Sequence, residues 1–204
     1  MVPLTLAVAT DALLKKEFDG VRDAKAIHPL WERFGLPYIA YEHPDLETWR
    51  NIRRGGIRAT HPGTGYIVYG AVDDVWLNPN TGQLVIVDYK STSKKEDPTL
   101  EGGVGDSYKR QLEIYQWIFR LAGHNVSPTG YFLYVNGLKD GKFFSKNLVG
   151  NMRFKTTLVA HEGDDSWVEP TIQAVVNCFS AEELPLKGND CDTCRYVSGR
   201  RELE

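Results

Sequence analysis

Gly70-Ala-Val-Asp-Asp-Val-Trp-Leu77, a short turn in 78–82 (N-P-N-T-G), and Gln83-Leu-Val-Ile-Val-Asp-Tyr-Lys90 read as two apolar strands folded back on each other. Each arm carries acidic residues where a buried strand has none, and the second adds a lysine two places after its aspartate. Ionised side chains sit inside such strands when they are paired or hold a metal. Side chains alternate along a strand, so Asp88 and Lys90 share one face. With a four-residue turn over 79–82, Asn78 pairs with Gln83 and Asp73 lies opposite Asp88, their Cβ atoms about 5 Å apart. A five-residue turn shifts the register toward Asp74, and a β-bulge reverses either outcome. Asp73 is the favoured partner. Two facing carboxylates repel until one takes a proton or a divalent cation separates them. Beside Lys90, that pair suggests a Mg²⁺ or Mn²⁺ site handling phosphate. The competing reading is a plain Asp88–Lys90 or Asp73–Lys90 ion pair on an exposed strand face.

Around this hairpin the spacing predicts a helix over 4–18, with Leu6, Ala9 or Thr10, Leu13, Leu14 and Phe18 on its apolar face. A short helix is expected over 46–54 and a longer one over 106–122, stopping at Gly123. Strands follow at 131–135 and 152–159, with Asn136-Gly137 and Asp140-Gly141 read as hairpin turns. A last helix over 171–179 leads to a C-x-x-C. The order of elements gives an α+β class, a mixed sheet flanked by helices.

The chain has 204 residues, 42% hydrophobic and 25% charged, which suits one globular domain over 1–204 with a cysteine-containing tail from 178. No apolar run is long enough to cross a bilayer, and the start lacks the basic region of a secretory signal, so a cytoplasmic protein is expected. Leu203-Glu204 reads as a vector scar. The net charge of −3 gives no global basic field for nucleic acid, which leaves local patches to supply it. Arg50, Arg53, Arg54 and Arg58, in W-R-N-I-R-R-G-G-I-R, are candidates to grip a phosphate backbone, with a solvated surface as the alternative. Lys94, Lys95, Lys109 and Arg110 are candidates to flank the same cleft. The five histidines show no metal-binding spacing. There is no P-loop, G-x-S-x-G or dinucleotide fingerprint.

G-A-V-D-D-V followed by V-D-Y-K-S resembles motifs II and III of the PD-(D/E)xK nuclease superfamily, most closely its RecB-like branch, which includes the CRISPR-associated four-cysteine exonucleases. That branch also carries a helical Q-x-x-x-Y, matched here by Gln111-Leu-Glu-Ile-Tyr115; Tyr108, Gln111 and Tyr115 share one helical stripe. The resemblance covers about residues 4–135. It implies a restriction-endonuclease-like core and a Mg²⁺- or Mn²⁺-dependent nuclease acting on DNA, and it leaves the pathway open among repair, CRISPR adaptation and mobile-element defence. In those roles Asp73 and Asp88 ligate the metal, the Tyr89 carbonyl adds a ligand, and Lys90 assists catalysis. Gln111 and Tyr115 support the site or touch DNA. Tyr108, on the same stripe, joins Arg53, Arg54 and Arg58 as a nucleic-acid-binding candidate read from the residues rather than from the resemblance. The branch's first-helix histidine aligns with Asp11, and Glu17 is a second candidate; a carboxylate suits Mg²⁺ better than imidazole does.

Cys191-Asp-Thr-Cys194 resembles the tail of the iron–sulfur members. Residues 1–204 hold no counterpart of their cysteine ahead of the first helix, and since they begin almost inside that helix an upstream cysteine segment outside them is the alternative. Within them only Cys178 is left to join the pair. A cluster or zinc site wants four ligands, so neither is expected. The alternative to an enzyme is a catalytically inactive nucleic-acid-binding or scaffold protein on the same fold.

Overall fold

Pro79–Gly82 form the turn that sets the register of the central sheet: the Gly82 amide donates to the Asn78 carbonyl at 2.8 Å, and Asn78 pairs with Gln83. The computed structural model describes residues 5–144, 146–183, 185–188 and 190–201. It divides into two compact units, Met1–Asp165 and Ser166–Glu204. The first unit begins with α1 (Thr5–Asp23), α2 (Pro29–Phe34), β1 (Ile39–Ala40), α3 (Leu46–Trp49) and a 3-10 turn at Ile52–Arg54. It continues through β2 (Ile57–Thr60), β3 (Ile67–Gly70), β4 (Asp74–Asn78), β5 (Gln83–Thr92), α4 (Val104–Leu121), β6 (Thr129–Gly137) and β7 (Phe154–Glu162). The second unit holds α5 (Val168–Ser180) and α6 (Asp192–Arg201).

The main sheet has the order β1-β4-β5-β6-β7, antiparallel throughout except for the β5–β6 pair. That parallel pair requires a crossover, which α4 supplies. The sheet is covered on both faces, which explains the unbroken apolar run of β5. Leu84 and Ile86 pack with Leu112, Ile118 and Phe119 of α4. Val85, Val87 and Tyr89 pack with Phe18 of α1 and Trp31 of α2. Trp31, Trp76 and Phe18 are essentially fully buried, each such burial contributing about 1.5–3 kcal/mol. A mixed α+β fold with a helix-flanked mixed sheet is therefore what the chain forms. No helix among the described residues is long and apolar enough to cross a membrane.

Several expected boundaries move. The first arm of the expected hairpin is broken: β3 pairs with β2 in a separate two-stranded sheet, and only β4 pairs with β5. The first helix runs on to Asp23, because Arg22 at its end is buried and ion-paired, and it stops where Lys25 adopts a positive φ. Leu6 and Leu13, expected on its apolar face, are exposed, whereas Thr10 and Phe18 are buried; Leu4, the expected first residue, lies outside the described residues. Residues 46–54 form two short turns rather than one helix. Asn136-Gly137 is not a turn but the end of β6, paired with Lys155 and Phe154. The Asn136 amide there donates to the Lys94 carbonyl and accepts from the Lys94 amide, tying down the segment after β5. Cys191 and Cys194 sit at the start of α6, and all three cysteines are free thiols.

Candidate active site

Asp88 and Lys90 lie two residues apart on β5, on the face covered by α4, with Asp88 buried. Asp73 occupies the bend just before β4. The β4–β5 register pairs Asp74 with Val87, and carried one step further it sets Asp73 across from Asp88. Instead of a ladder bond, the Asp73 Oδ2 accepts the Tyr89 amide at 2.7 Å, which fixes its carboxylate over the end of β5. The Lys90 ammonium lies 2.6 Å from Asp88 Oδ2 and donates to Gln111 Oε1 at 3.2 Å. It also stands 4.0 Å above the Tyr108 ring, a cation–π contact. Gln111 in turn donates to the Tyr115 hydroxyl at 2.9 Å. The helical stripe of Tyr108, Gln111 and Tyr115 thus surrounds one ammonium.

Gly70 closes this arrangement. A Cβ there would stand 2.5 Å from Tyr115 Cε1, so the absence of a side chain lets the ring lie against β3, three residues ahead of Asp73. From the other side, α1 brings Lys15 to within 3.0 Å of Asp11 Oδ2 and 3.5 Å of Asp73 Oδ1. Lys15 was not anticipated from the sequence; its signal is the spacing of four residues after Asp11 on a helix.

Burial and the neighbouring Asp88 push the Asp73 carboxyl up to about 7, against the pull of Lys15 and the Tyr89 amide. Burial also raises Asp88, although Lys90 pulls it down. Burial raises the Tyr115 hydroxyl, with Gln111 opposing and the two aspartates assisting. Two ammonium groups, Lys15 and Lys90, face the two aspartates from α1 and β5. Asp88 Oδ2 is a buried oxygen with no hydrogen-bond donor other than the Lys90 ammonium, 2.6 Å away. An all-oxygen donor set with such an oxygen fits a hard divalent cation that keeps several waters. Among the described residues no group of three or more His, Cys, Asp or Glu side chains gathers to hold a metal, so here the carboxylate contribution is the Asp73–Asp88 pair.

Asp74 faces the other way. It is fully buried and accepts from Arg22 at 2.7 Å, Arg50 at 2.6 Å and the Tyr89 hydroxyl at 2.9 Å. Asp19 completes the cluster, paired with both Arg22 and Arg50. Burial works against the Arg50 charge, but Asp74 and Asp19 outweigh it and raise its pKa above the usual guanidinium range. Arg50 is consequently a structural ion, and the expectation that it grips a phosphate backbone is corrected. Asp11 reaches the site through Lys15, whereas Glu17 lies 3.4 Å from the His28 ring. Tyr108 is packed beneath Lys90 and partly buried, while Arg53, Arg54 and Arg58 are exposed around β2.

A family model described as the PD-(D/E)XK nuclease superfamily matches residues 5–198. No curated protein matches the chain.

Proposed function

The chain belongs to the PD-(D/E)XK nuclease superfamily, and from that premise we propose that it is a RecB-like nuclease hydrolysing DNA phosphodiester bonds with Mg²⁺ or Mn²⁺. One observation carries the reading: Asp73, Asp88 and Lys90 converge at the end of β5, with Gln111 and Tyr115 in line behind the lysine. Asp73, Asp88 and the Tyr89 carbonyl would hold the ion, with Asp11 as a further candidate. When bound, the ion supplies Lewis acidity toward a phosphate oxygen and a water made easier to deprotonate.

The rest falls to the chain's own groups. Lys90 is placed to offset negative charge growing on the phosphate, and Gln111 and Tyr108 hold its ammonium in position before substrate arrives. The Tyr89 amide fixes the rotamer of Asp73, so that its second oxygen stays directed toward the space shared with Asp88 and Lys15. Lys15 balances the acidic cluster from α1. The family match spans both compact units, which supports treating 1–204 as one nuclease domain with its cysteines in the C-terminal part.

The test is cleavage of labelled single- and double-stranded DNA across a Mn²⁺ titration. Asp88→Asn and Lys90→Ala should each lower the rate by about 100-fold or more. Wild-type rates in both variants would exclude this mechanism. Metal-independent binding without any cutting by the wild type would instead favour an inactive scaffold.

A further inference from the structure

The β2–β3 hairpin has two different faces. Its register pairs Ile57 with Gly70, Arg58 with Tyr69, Ala59 with Val68 and Thr60 with Ile67. Ile57, Ala59 and Val68 turn inward, and all three belong to the core that includes α4. Arg58, Thr60, Ile67 and Tyr69 face solvent, as the alternation of a strand requires. Tyr69 is 60% exposed and Ile67 58% exposed, side by side on this face.

The preceding 3-10 turn adds Arg53 and Arg54 to this face. Together Ile52, Arg53, Arg54, Arg58, Ile67 and Tyr69 line a cleft of about 380 Å³. Gly55 permits the cleft twice over: its φ of +112° is left-handed, and the Arg58 guanidinium lies across the space a Cβ would fill. Among the described residues no carboxylate pairs with Arg53, Arg54 or Arg58, in a chain with 27 acidic residues and a net charge of −3. Three uncompensated guanidinium groups beside an exposed aromatic ring match a polyanion that carries flat bases. A base stacks on such a ring only when it is free of its duplex partner and neighbours. Tyr69 is four residues from Asp73, at most about 14 Å of chain, so the cleft is within a few nucleotides of the candidate site.

We propose that the outer face of the β2–β3 hairpin is a binding platform for an unpaired DNA strand, with Tyr69 as its stacking residue and Arg53, Arg54 and Arg58 as its phosphate contacts. This deepens the nuclease reading above and rests on it for the choice of DNA as ligand. The strand lies across Tyr69 and Ile67 with its phosphates along the arginines. Duplex DNA meets the arginines but leaves the ring unused.

The experiment is fluorescence anisotropy with a labelled single strand and the matching duplex, on the full chain, in EDTA so that no cleavage intervenes. Tyr69→Ala should weaken single-strand binding by about tenfold and duplex binding by less than about twofold. Tyr69→Phe should restore single-strand binding, since stacking does not need the hydroxyl. Arg53→Ala combined with Arg54→Ala should flatten the salt dependence by about 0.7 per lost phosphate contact. Equal affinity of wild type and Tyr69→Ala for the single strand overturns the platform, as does an equal loss on both DNA forms. The two readings fail separately. A Tyr69-dependent binder that never cuts DNA keeps the platform and removes the nuclease, and a Mn²⁺-dependent nuclease indifferent to Tyr69→Ala does the reverse.

Discussion

At the scale of single residues, Asp73 couples the site to pH. Its carboxyl is raised from an ordinary 3.8 to about 7 by burial and by Asp88. Between those values the metal-free folded chain keeps a proton that the unfolded chain has released. The associated stability is therefore fully present below about pH 4 and is lost as pH rises through 7. Asp88 is shifted in the same direction by burial. Asp73→Asn should accordingly stabilise the metal-free protein at pH 8 and change little at pH 4. A quarter of the Asp73 side chain is accessible, and solvent screens part of the effect, so the gain should be on the order of 1–2 kcal/mol. Urea denaturation in EDTA at both pH values checks it, and a variant no more stable at pH 8 than the wild type refutes it.

At the scale of elements, the site depends on how closely β3 approaches α4. In Gly70→Ala the new methyl meets the Tyr115 ring, which has to swing away and release Gln111 from behind Lys90. Activity should fall by about tenfold or more while stability falls by only about 1–2 kcal/mol. Steady-state kinetics alongside a denaturation curve would separate the two effects. Arg50 and Arg53, three residues apart, make the opposite contrast. Arg50→Ala leaves the buried Asp74 short of a partner and should cost about 3–5 kcal/mol, with little change in the salt dependence of DNA binding. Arg53→Ala should leave stability within about 0.5 kcal/mol and reduce that salt dependence. The sequence shows both arginines flanking the same turn and does not distinguish them, because their roles are decided by Asp74 and Asp19, which arrive from other elements. By contrast, the Asn78–Gln83 pairing was legible from a turn of four residues, and it is this register, extended one step past Asp74, that sets Asp73 across from Asp88. Asn136-Gly137 misled for a related reason. An Asn-Gly pair signals a turn only when nothing else claims the amide, and Lys94 claims it here. The extended first helix was missed likewise, since Asp74, the buried partner of Arg22, lies 52 residues away in sequence.

At the scale of the whole molecule, the carboxylates that destabilise the metal-free sheet are the same groups that would make a cation stabilising. The two carboxylates that would face an ion come from the bend before β4 and from β5. An ion held between them would tie that bend to the strand that organises the sheet. Any ligand of the native state alone stabilises that state by mass action, about 2.7 kcal/mol at 100 times its dissociation constant. For a chain of this length that corresponds to a rise of about 5–10 °C in Tm. Four of the five tryptophans, Trp31, Trp49, Trp76 and Trp117, lie in the unit that carries these ligands, so intrinsic fluorescence follows its melting directly. Mn²⁺ at pH 8 should produce the shift and Asp88→Asn should abolish it, whether or not DNA is ever cut. At pH 5 the shift should shrink, because protons then compete for Asp73. A wild-type protein whose melting ignores Mn²⁺ at pH 8 would show that the raised carboxyls are held by Lys15 and Lys90 alone.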